Sequence, residues 1–310
     1  MSKKRTELLV SAGSVQDVEK FLLAGADAVA IGNERYGLRL PGSFDLANIR
    51  EAATLAHARN KSVYVVINAL LHQEELSDLK GYIMDLANLD VDAVVFGDPA
   101  VLFTVREHAP QMKLHWNTET TSTNFHTVNF WAAKGAVRAV LARELSLQNV
   151  LAIKQHSRIE IQAQIHGMTC IFHSKRELVS NFMKHKGQAL EAKENLSDSS
   201  MYLKEDKREE QQYPVFEDYH GTHIMSHEDI CMLEHMGPLI AAGIDAVKIE
   251  TILKPVQYNE AVIAIYRKAM DQYLENPSAP FDAGLLAAIR SMQPQQRPLG
   301  TGFYFKEQIY

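Results

Sequence analysis

The chain has 310 residues, of which 46% are hydrophobic and 23% charged, a composition typical of globular proteins with a large core. The net charge of −6 excludes nucleic-acid binding through overall charge, so an RNA contact would need a local basic patch. The sequence shows no apolar run of roughly 18 residues, no extended apolar signal segment and too few cysteines for a disulfide scaffold. We therefore expect a cytoplasmic protein that binds neither membranes nor DNA.

The recurring pattern along the chain is a helix-like segment, a glycine and a short apolar strand. Gly25, Gly135 and Gly243 each end such a segment, and a similar strand phrase begins at Val91. Helix, glycine cap and buried strand form the αβ half of a βα unit.

The pattern predicts eight strands, near residues 7, 26, 62, 91, 113, 137, 159 and 244. Short βα units at this spacing favour a (β/α)₈ TIM-barrel-like fold. A doubly wound open sheet is the alternative, but no G-x-G-x-x-G phrase follows the first strand. We expect one barrel domain over residues 1–310, with an insertion at 171–226 and a C-terminal helix and tail at 256–310.

The insertion lies between strands seven and eight and is polar and mixed in charge. Residues 201–226 alternate weakly, which predicts one or two hairpins. Barrel active sites lie at this end of the strands, so the insertion could be a lid or a substrate-binding element. An insertion without a functional role is the alternative.

Polar side chains at the strand ends are the candidate site residues, because they line the mouth of a barrel. Arg143 and Glu144 could instead form an ion pair that only stiffens the rim. The candidates for substrate binding are Arg39, Asn68, Thr118, Glu119, Lys248 and Glu250, and those for catalysis are Arg143, Glu144, His166 and Cys170.

The two cysteines have different sequence surroundings. Cys170 is predicted on a polar loop beside basic residues, which would lower its pKa, whereas Cys231 lies in a helix-like phrase that also suits a buried apolar residue. Two thiolates cannot ligate an iron–sulfur cluster alone, and zinc bound with His166 or His173 has no supporting spacing. A peptidase would have to use Cys170 with His166, and no third orienting group is evident.

A basic cluster follows Cys170 and could contact RNA phosphates. The alternative is a solvated loop whose charge is balanced by Glu191 and Glu194. The candidate RNA-binding residues are Lys175, Arg176, Lys184 and Lys186.

Several phrases, in order and over most of the chain, resemble the peptidase U32 family, the collagenase-like proteins. They are ELLVSAGSVQDVEKFLLAGADAVAIG, LARELSL, IHGMTC, LVSNF, YPVFEDYHGTHIMSHEDICMLEHM, GIDAVKIE and TGFYF. The resemblance implies a barrel and, despite the family name, roles in O₂-independent hydroxylation of tRNA wobble uridine, an rRNA cytidine or ubiquinone precursors. It also implies prephenate as a co-substrate of the RNA branches, a [4Fe–4S] cluster on four cysteines in several members, and function as two related subunits in some.

The chain departs from the family pattern around the implied cluster. Cys170 and Cys231 match the first and fourth cluster ligands, whereas Lys175 and Glu177 stand where the pattern has glycine and cysteine. The third cysteine would fall within 188–200, which has none. Gln162 and Gln164 replace the family's glutamate and phenylalanine, and the strand-eight arginine is missing from 251–254.

These departures lead to the hypothesis of a subunit of a bacterial tRNA uridine hydroxylase. In this hypothesis a paralogous partner carries the full cysteine set, and any cluster here is shared with it. The alternatives are a peptidase and a non-catalytic RNA-binding or scaffold protein.

Overall fold

The computed structural model describes residues 5–187 and 201–306. In chain order its strands are β1 Glu7–Ser11, β2 Ala28–Ile31, β3 Ser62–Ile67, β4 Ala93–Phe96, β5 Leu114–Trp116, β6 Arg138–Val140, β7 Glu160–Gly167, β8 Cys170–Ser174, β9 Tyr202–Glu205, β10 Arg208–Asp218, β11 Gly221–Met225, β12 Asp229–Cys231, β13 Ala246–Ile249 and β14 Leu299–Gly300. The helices are α1 Val15–Leu23, α2 Leu46–His57, α3 Leu76–Asn88, α4 Pro99–His108, α5 Phe125–Ala133, α6 Leu147–His156, α7 Leu178–His185, α8 Met236–Ala241, α9 Val256–Glu275 and α10 Ala283–Met292. A 3-10 turn at Leu233–His235 precedes α8.

Eight parallel strands close into a barrel. β1 to β7 pair in chain order, and β13 pairs with both β1 and β7. The predicted (β/α)₈ fold is therefore confirmed, and the open-sheet alternative is wrong because the two edges meet. No helix in the described ranges is long and apolar enough to span a bilayer.

The helix boundaries follow local chemistry that the sequence already shows. Ser14 and Ser146 accept hydrogen bonds from backbone N–H groups in the first turns of α1 and α6, which satisfies donors that have no partner within the helix. The predicted cap glycines Gly25, Gly135 and Gly243 have φ of 114°, 97° and 73°, a conformation that costs glycine little.

The barrel has two apolar layers. Strand side chains alternate between inside and outside, and the inside layer is filled by small and medium residues such as Leu9, Ala28, Val66 and Val95. A larger layer between strands and helices contains fully buried side chains such as Tyr266.

The insertion forms a second, antiparallel sheet in the order β8-β11-β10-β9, and α7 packs against β11. Both predicted hairpins are present, but the polar loop expected after Gly167 is wrong, since Cys170 begins β8 and a helix follows. The helix-like reading of Cys231 is also wrong, because Cys231 ends β12 and pairs opposite His166. Glu191 and Glu194 lie outside the described residues.

Candidate active site at the barrel mouth

Five strand-end side chains meet at the C-terminal mouth of the barrel. Arg39 and Arg143 both donate hydrogen bonds to Oε2 of Glu119, the second at 2.9 Å. Lys248 Nζ donates to Oε2 of Glu250 at 2.6 Å. We call Arg39, Glu119, Arg143, Lys248 and Glu250 the mouth cluster.

The mouth cluster carries one excess positive charge, since three cationic groups face two carboxylates. Burial alone would raise the pKa of Glu119, but the charges of Arg39 and Arg143 lower that pKa to about 2. Glu119 therefore stays ionised at neutral pH. A site of this kind favours an additional anionic group from a ligand.

The backbone at the mouth is held in an uncommon conformation. Arg39 and Glu119 have φ of 55° and 62°, in the left-handed region that non-glycine residues seldom occupy. Asn68 Oδ1 accepts from Leu38 N at 2.7 Å, and Asn117 Oδ1 accepts from Glu119 N at 3.0 Å. Asn68 and Asn117 therefore hold the two strained turns, at a site where such strain is typical of function.

A cleft of about 510 Å³ opens above the mouth cluster. Gln162 and Gln164 of β7 join its wall because alternate residues of a barrel strand point inward. Met168 enters it from the link between β7 and β8, and Cys170 and Met225 enter it from β8 and β11, so the second sheet covers the mouth.

A second cleft of about 970 Å³ shares part of this wall. Glu119, Arg143 and Cys170 line both clefts, while Glu144, Tyr213 and Phe303 line the second one. Of the remaining candidates, Thr118 bonds with Thr121 on the exposed loop after β5.

His166 does not face either cleft. An extra residue in β7 shifts its register against β13, so that Lys248 lies opposite Gln164 and Ile249 opposite His166. Such a bulge reverses the side-chain direction, and His166 Nε2 lies 3.0 Å from Tyr258 Oη under α9. Burial lowers the pKa of His166 to about 4, which keeps the ring neutral at neutral pH.

The glycine of the His-Gly phrase has a packing role. A Cβ atom on Gly167 would lie 2.2 Å from the carbonyl oxygen of Glu250, and Gly167 has φ of 94°. Gly167 thus allows the end of β7 to pack closely against Glu250. His166 bonds Tyr258 and does not partner Cys170 as the sequence suggested.

His223 lies in β11, two residues before Met225, which pairs with Cys170. His223 Nε2 lies 2.9 Å from Oδ1 of Asp218, and the ring is fully buried between His173 and Phe216. Burial opposes ionisation of the Cys170 thiol, but the nearby His223 and the charge of Arg39 lower its pKa. The thiol itself donates to the carbonyl oxygen of Phe172 at 3.1 Å. Sequence reasoning missed His223, although the alternation in the phrase THIM that contains it was visible.

The two cysteines lie in different surroundings and do not fit a four-iron cluster. Burial raises the pKa of Cys231, and Tyr266 Oη donates to its sulfur at 3.7 Å. No group of three or more histidine, cysteine or acidic side chains in the described ranges is arranged to hold a metal. Since a cluster needs four thiolates, this chain's residues do not supply one.

The candidate RNA-binding side chains are exposed residues of the insertion. Lys175 and Arg176 follow β8, and Lys184 and Lys186 lie at the end of α7. Lys186 Nζ lies 5.8 Å from the ring centre of Phe182, which is itself exposed.

The sequence is similar to RNA-modifying proteins over its full length. It is 44% identical over 310 residues to "tRNA hydroxylation protein P2" of Bacillus subtilis (strain 168), covering 99% of this chain and 100% of that protein. It is 32% identical over 279 residues to "tRNA hydroxylation protein P1" of the same organism, covering 88% of this chain and 65% of that protein. The "23S rRNA 5-hydroxycytidine C2501 synthase" of Escherichia coli (strain K12) is 30% identical over 281 residues, covering 89% of this chain and 41% of that protein.

Fold and family comparisons agree with these matches. A solved U32 peptidase superposes with a TM-score of 0.50 at 15% identity, covering 81% of this chain and 94% of that one, which shows a common fold. The family model for peptidase family U32 matches residues 13–309. The chain belongs to peptidase family U32.

Proposed function

We propose that this chain is a cytoplasmic subunit of a system that hydroxylates tRNA wobble uridine to 5-hydroxyuridine. The observation that carries the proposal is the 44% identity, over the whole length of both chains, to a protein named for tRNA hydroxylation.

The mouth cluster supports a role in binding an anionic co-substrate. Three cationic side chains and two carboxylates leave one formal positive charge on the wall of the cleft. Family resemblance suggests prephenate, whose two carboxylates suit Arg39, Arg143 and Lys248. The exposed basic residues after β8 would then contact the RNA phosphates.

A paralogous partner would supply the iron–sulfur cluster. The chain has two cysteines, and these lie in different surroundings, so its own residues do not make a four-thiolate site. Bacillus subtilis has relatives of this chain named P1 and P2, which is consistent with two related subunits working together.

Gene deletion tests the proposal directly. In the host of this chain, we expect deletion to remove the 5-hydroxyuridine-derived nucleosides from tRNA, and the wild-type gene to restore them, as measured by mass spectrometry. An unchanged nucleoside profile after deletion would contradict the proposal, provided that no second copy of the gene is present.

One observation favours a second candidate function, a cysteine peptidase. Cys170 lies opposite Met225, two residues from His223, and His223 bonds Asp218, so the three groups that cysteine nucleophiles use lie in one region of the second sheet. Cleavage of casein or collagen by the purified chain, lost in Cys170→Ser, would support the peptidase. Absence of cleavage removes that candidate without affecting the RNA proposal.

Variants in the mouth cluster distinguish a catalytic role of this chain from a scaffold or RNA-binding role without catalysis. If Arg39→Gln folds and still restores 5-hydroxyuridine in full, the mouth has no chemical role. Loss of restoration in this folded variant supports an active site.

A further inference from the structure

The second cleft, of about 970 Å³, lies where three separate parts of the chain meet. The barrel rim contributes Glu119 and Arg143, the second sheet and the link after it contribute Tyr213 and His227, and the C-terminal tail contributes Phe303. Glu119 and Arg143 also line the cleft above the mouth cluster. A group bound in the second cleft would therefore lie beside the mouth cluster while occupying a different volume.

The tail is fixed against the barrel by one buried aromatic residue, Tyr304. Its Oη donates to the carbonyl oxygen of Gln164 in β7 at 2.6 Å, and its own carbonyl accepts from the backbone N–H of Leu147 at the start of α6 at 2.9 Å. The neighbouring rings of Phe303 and Phe305 are exposed, and of these two only Phe303 lines the second cleft. An exposed aromatic ring is thus held at the cleft by an anchored backbone.

Tyr213 brings a second aromatic ring to the cleft, from β10. Its ring centre lies 5.5 Å from that of His227, and its Oη donates to Oε1 of Gln211 at 2.6 Å. The residue is half-buried, so part of the ring surface is accessible from the cleft. Accessible aromatic rings offer a flat apolar surface on which a nucleobase can stack.

Charged and hydroxyl groups accompany the two rings. Lys306 Nζ lies 5.6 Å from the ring centre of Phe303 and donates to Oε1 of Glu228 at 3.0 Å. Thr120 and Thr169 also line the wall. An exposed cation suits an RNA phosphate, and hydroxyl and carboxylate groups suit the donors and acceptors on the edge of a pyrimidine. The combination of aromatic rings with polar groups distinguishes this cleft from a purely apolar groove.

We propose that the second cleft receives an extruded uridine of single-stranded RNA, whose base stacks on Tyr213 and Phe303. Proteins that modify a base take it out of its stack and into a pocket, because the target atom is otherwise out of reach. The shared wall at Glu119 and Arg143 puts this pocket beside the site for the anionic co-substrate. The base then occupies the second cleft and the anion the first. The inference rests on the proposed function, since it gives the RNA substrate of that function a place in the structure.

Two anticodon stem–loop RNAs test the inference with the full chain, by fluorescence anisotropy. One carries uridine at the wobble position, and the other carries an abasic sugar there and has the same number of phosphates. We expect the wild type to bind the uridine RNA at least about fivefold more tightly, because the abasic RNA has no base to stack at that position. Equal affinity for the two RNAs, or no measurable binding of either, would overturn the inference.

Variants of the two rings separate stacking from general effects on the fold. Phe303→Leu and Tyr213→Leu keep an apolar side chain but remove the aromatic face. Each should weaken binding of the uridine RNA by about threefold or more and leave binding of the abasic RNA unchanged. Phe303→Trp should retain the preference for uridine, because it keeps an aromatic face. Equal weakening of both RNAs in the folded leucine variants would overturn the inference.

The matched controls are exposed aromatic residues that do not line the second cleft. Phe305→Leu lies in the same tail, where its ring packs on His235 at 4.5 Å, and Tyr219→Leu lies in the same insertion. Both should bind the two RNAs as the wild type does. A preference for uridine that falls as far in these controls as in Phe303→Leu would contradict the assignment of the base to this cleft.

Photocrosslinking tests the same contact in the unaltered chain. 5-Iodouridine at the wobble position of the bound stem–loop couples on irradiation to an aromatic ring stacked on it. We expect the crosslinked peptide, identified by mass spectrometry, to contain Tyr213 or Phe303. Crosslinks that are absent or confined to residues outside the second cleft would overturn the inference.

Gene deletion reports on the proposed function separately. Loss of 5-hydroxyuridine-derived nucleosides on deletion, without a crosslink in the second cleft, would keep the hydroxylation proposal and remove this inference. Unchanged nucleosides on deletion, with a crosslink at Tyr213 or Phe303, would keep the base pocket and remove the hydroxylation proposal.

Discussion

The two ends of the same barrel both hold arginine–glutamate clusters, but the clusters are built differently. At the floor, Glu7, Arg138 and Glu160 begin β1, β6 and β7. Arg138 donates to Glu7 at 2.6 Å and to Glu160 at 2.7 Å, and its guanidinium lies 5.2 Å from the ring centre of Tyr64. We call Glu7, Tyr64, Arg138 and Glu160 the floor cluster.

The floor cluster places one arginine against two carboxylates, whereas the mouth cluster gathers two arginines on one carboxylate. Arg39 and Glu119 of the mouth also have positive φ, and their charges line an open cleft. Every guanidinium nitrogen of Arg138 is used in hydrogen bonds to the floor carboxylates.

The difference follows the division of labour in (β/α)₈ barrels. Residues at the N-terminal end of the strands stabilise the barrel, and residues at the C-terminal end bind and transform ligands. A closed charge network suits the first task. Excess positive charge, strain and an open cleft suit the second.

The largest expected effect is a loss of stability when Arg138 is removed from the floor cluster. Arg138→Met should lower the free energy of unfolding by about 3–5 kcal/mol, because it removes the buried cation that two partly buried carboxylates share. Urea unfolding at neutral pH measures this. In the matched change Arg143→Met, Glu119 keeps Arg39, so we expect a loss of about 1 kcal/mol. Equal losses in the two variants would remove the distinction between floor and mouth.

A smaller effect concerns the pH dependence of the mouth. The folded pKa of Glu119 is about 2, against an ordinary value of 4.5, so its ionised form stabilises the fold above pH 4.5 and this contribution is lost as pH falls toward 2. Glu119→Gln should therefore be less stable than the wild type at pH 7 by on the order of 3 kcal/mol.

The stability gap between wild type and Glu119→Gln should close between pH 4.5 and about 2, as followed by urea unfolding at each pH. A gap that is constant over this range would show that the charge of Glu119 does not stabilise the mouth.

The smallest effect is expected at the exposed rim beside the mouth. If Lys184 and Lys186 contact RNA phosphates, replacing either with alanine should reduce the slope of log affinity for tRNA against log salt by about 0.7 to 0.9. Filter binding over a salt series measures the slope. Lys268→Ala, on the exposed side of α9, is the control and should leave the slope unchanged. Identical slopes in all variants would place the RNA elsewhere.

Most helices and strands of the barrel could be predicted from the sequence, because their boundaries are set by neighbouring residues. Glycine caps such as Gly25 and N-caps such as Ser146 are set by neighbouring residues, and short apolar runs marked the strands. Membership of Arg39, Glu119 and Lys248 in one site also followed, since parallel strands bring their ends together.

The directions and contacts of the other site residues could not be predicted, because they depend on how strands distant in the sequence pair with each other. One extra residue in β7 turns His166 away from the cleft, and only the pairing with β13 reveals it. The pairing of β8 with β11, which places Cys170 opposite Met225, joins segments about fifty residues apart, whereas the sequence predicted a loop at Cys170. The ion pair between Arg39 and Glu119 likewise joins positions separated by 80 residues.

The central claim is that the mouth cluster is the functional site of the barrel. One complementation experiment tests this claim most directly. In a strain that lacks the gene, Arg39→Gln is compared with Arg35→Gln, which removes an exposed arginine of the same loop that pairs with Asp78. We predict that Arg35→Gln restores the 5-hydroxyuridine-derived tRNA nucleosides to the wild-type level, whereas Arg39→Gln, although folded and expressed, restores less than about a tenth. Full restoration by Arg39→Gln would contradict the account.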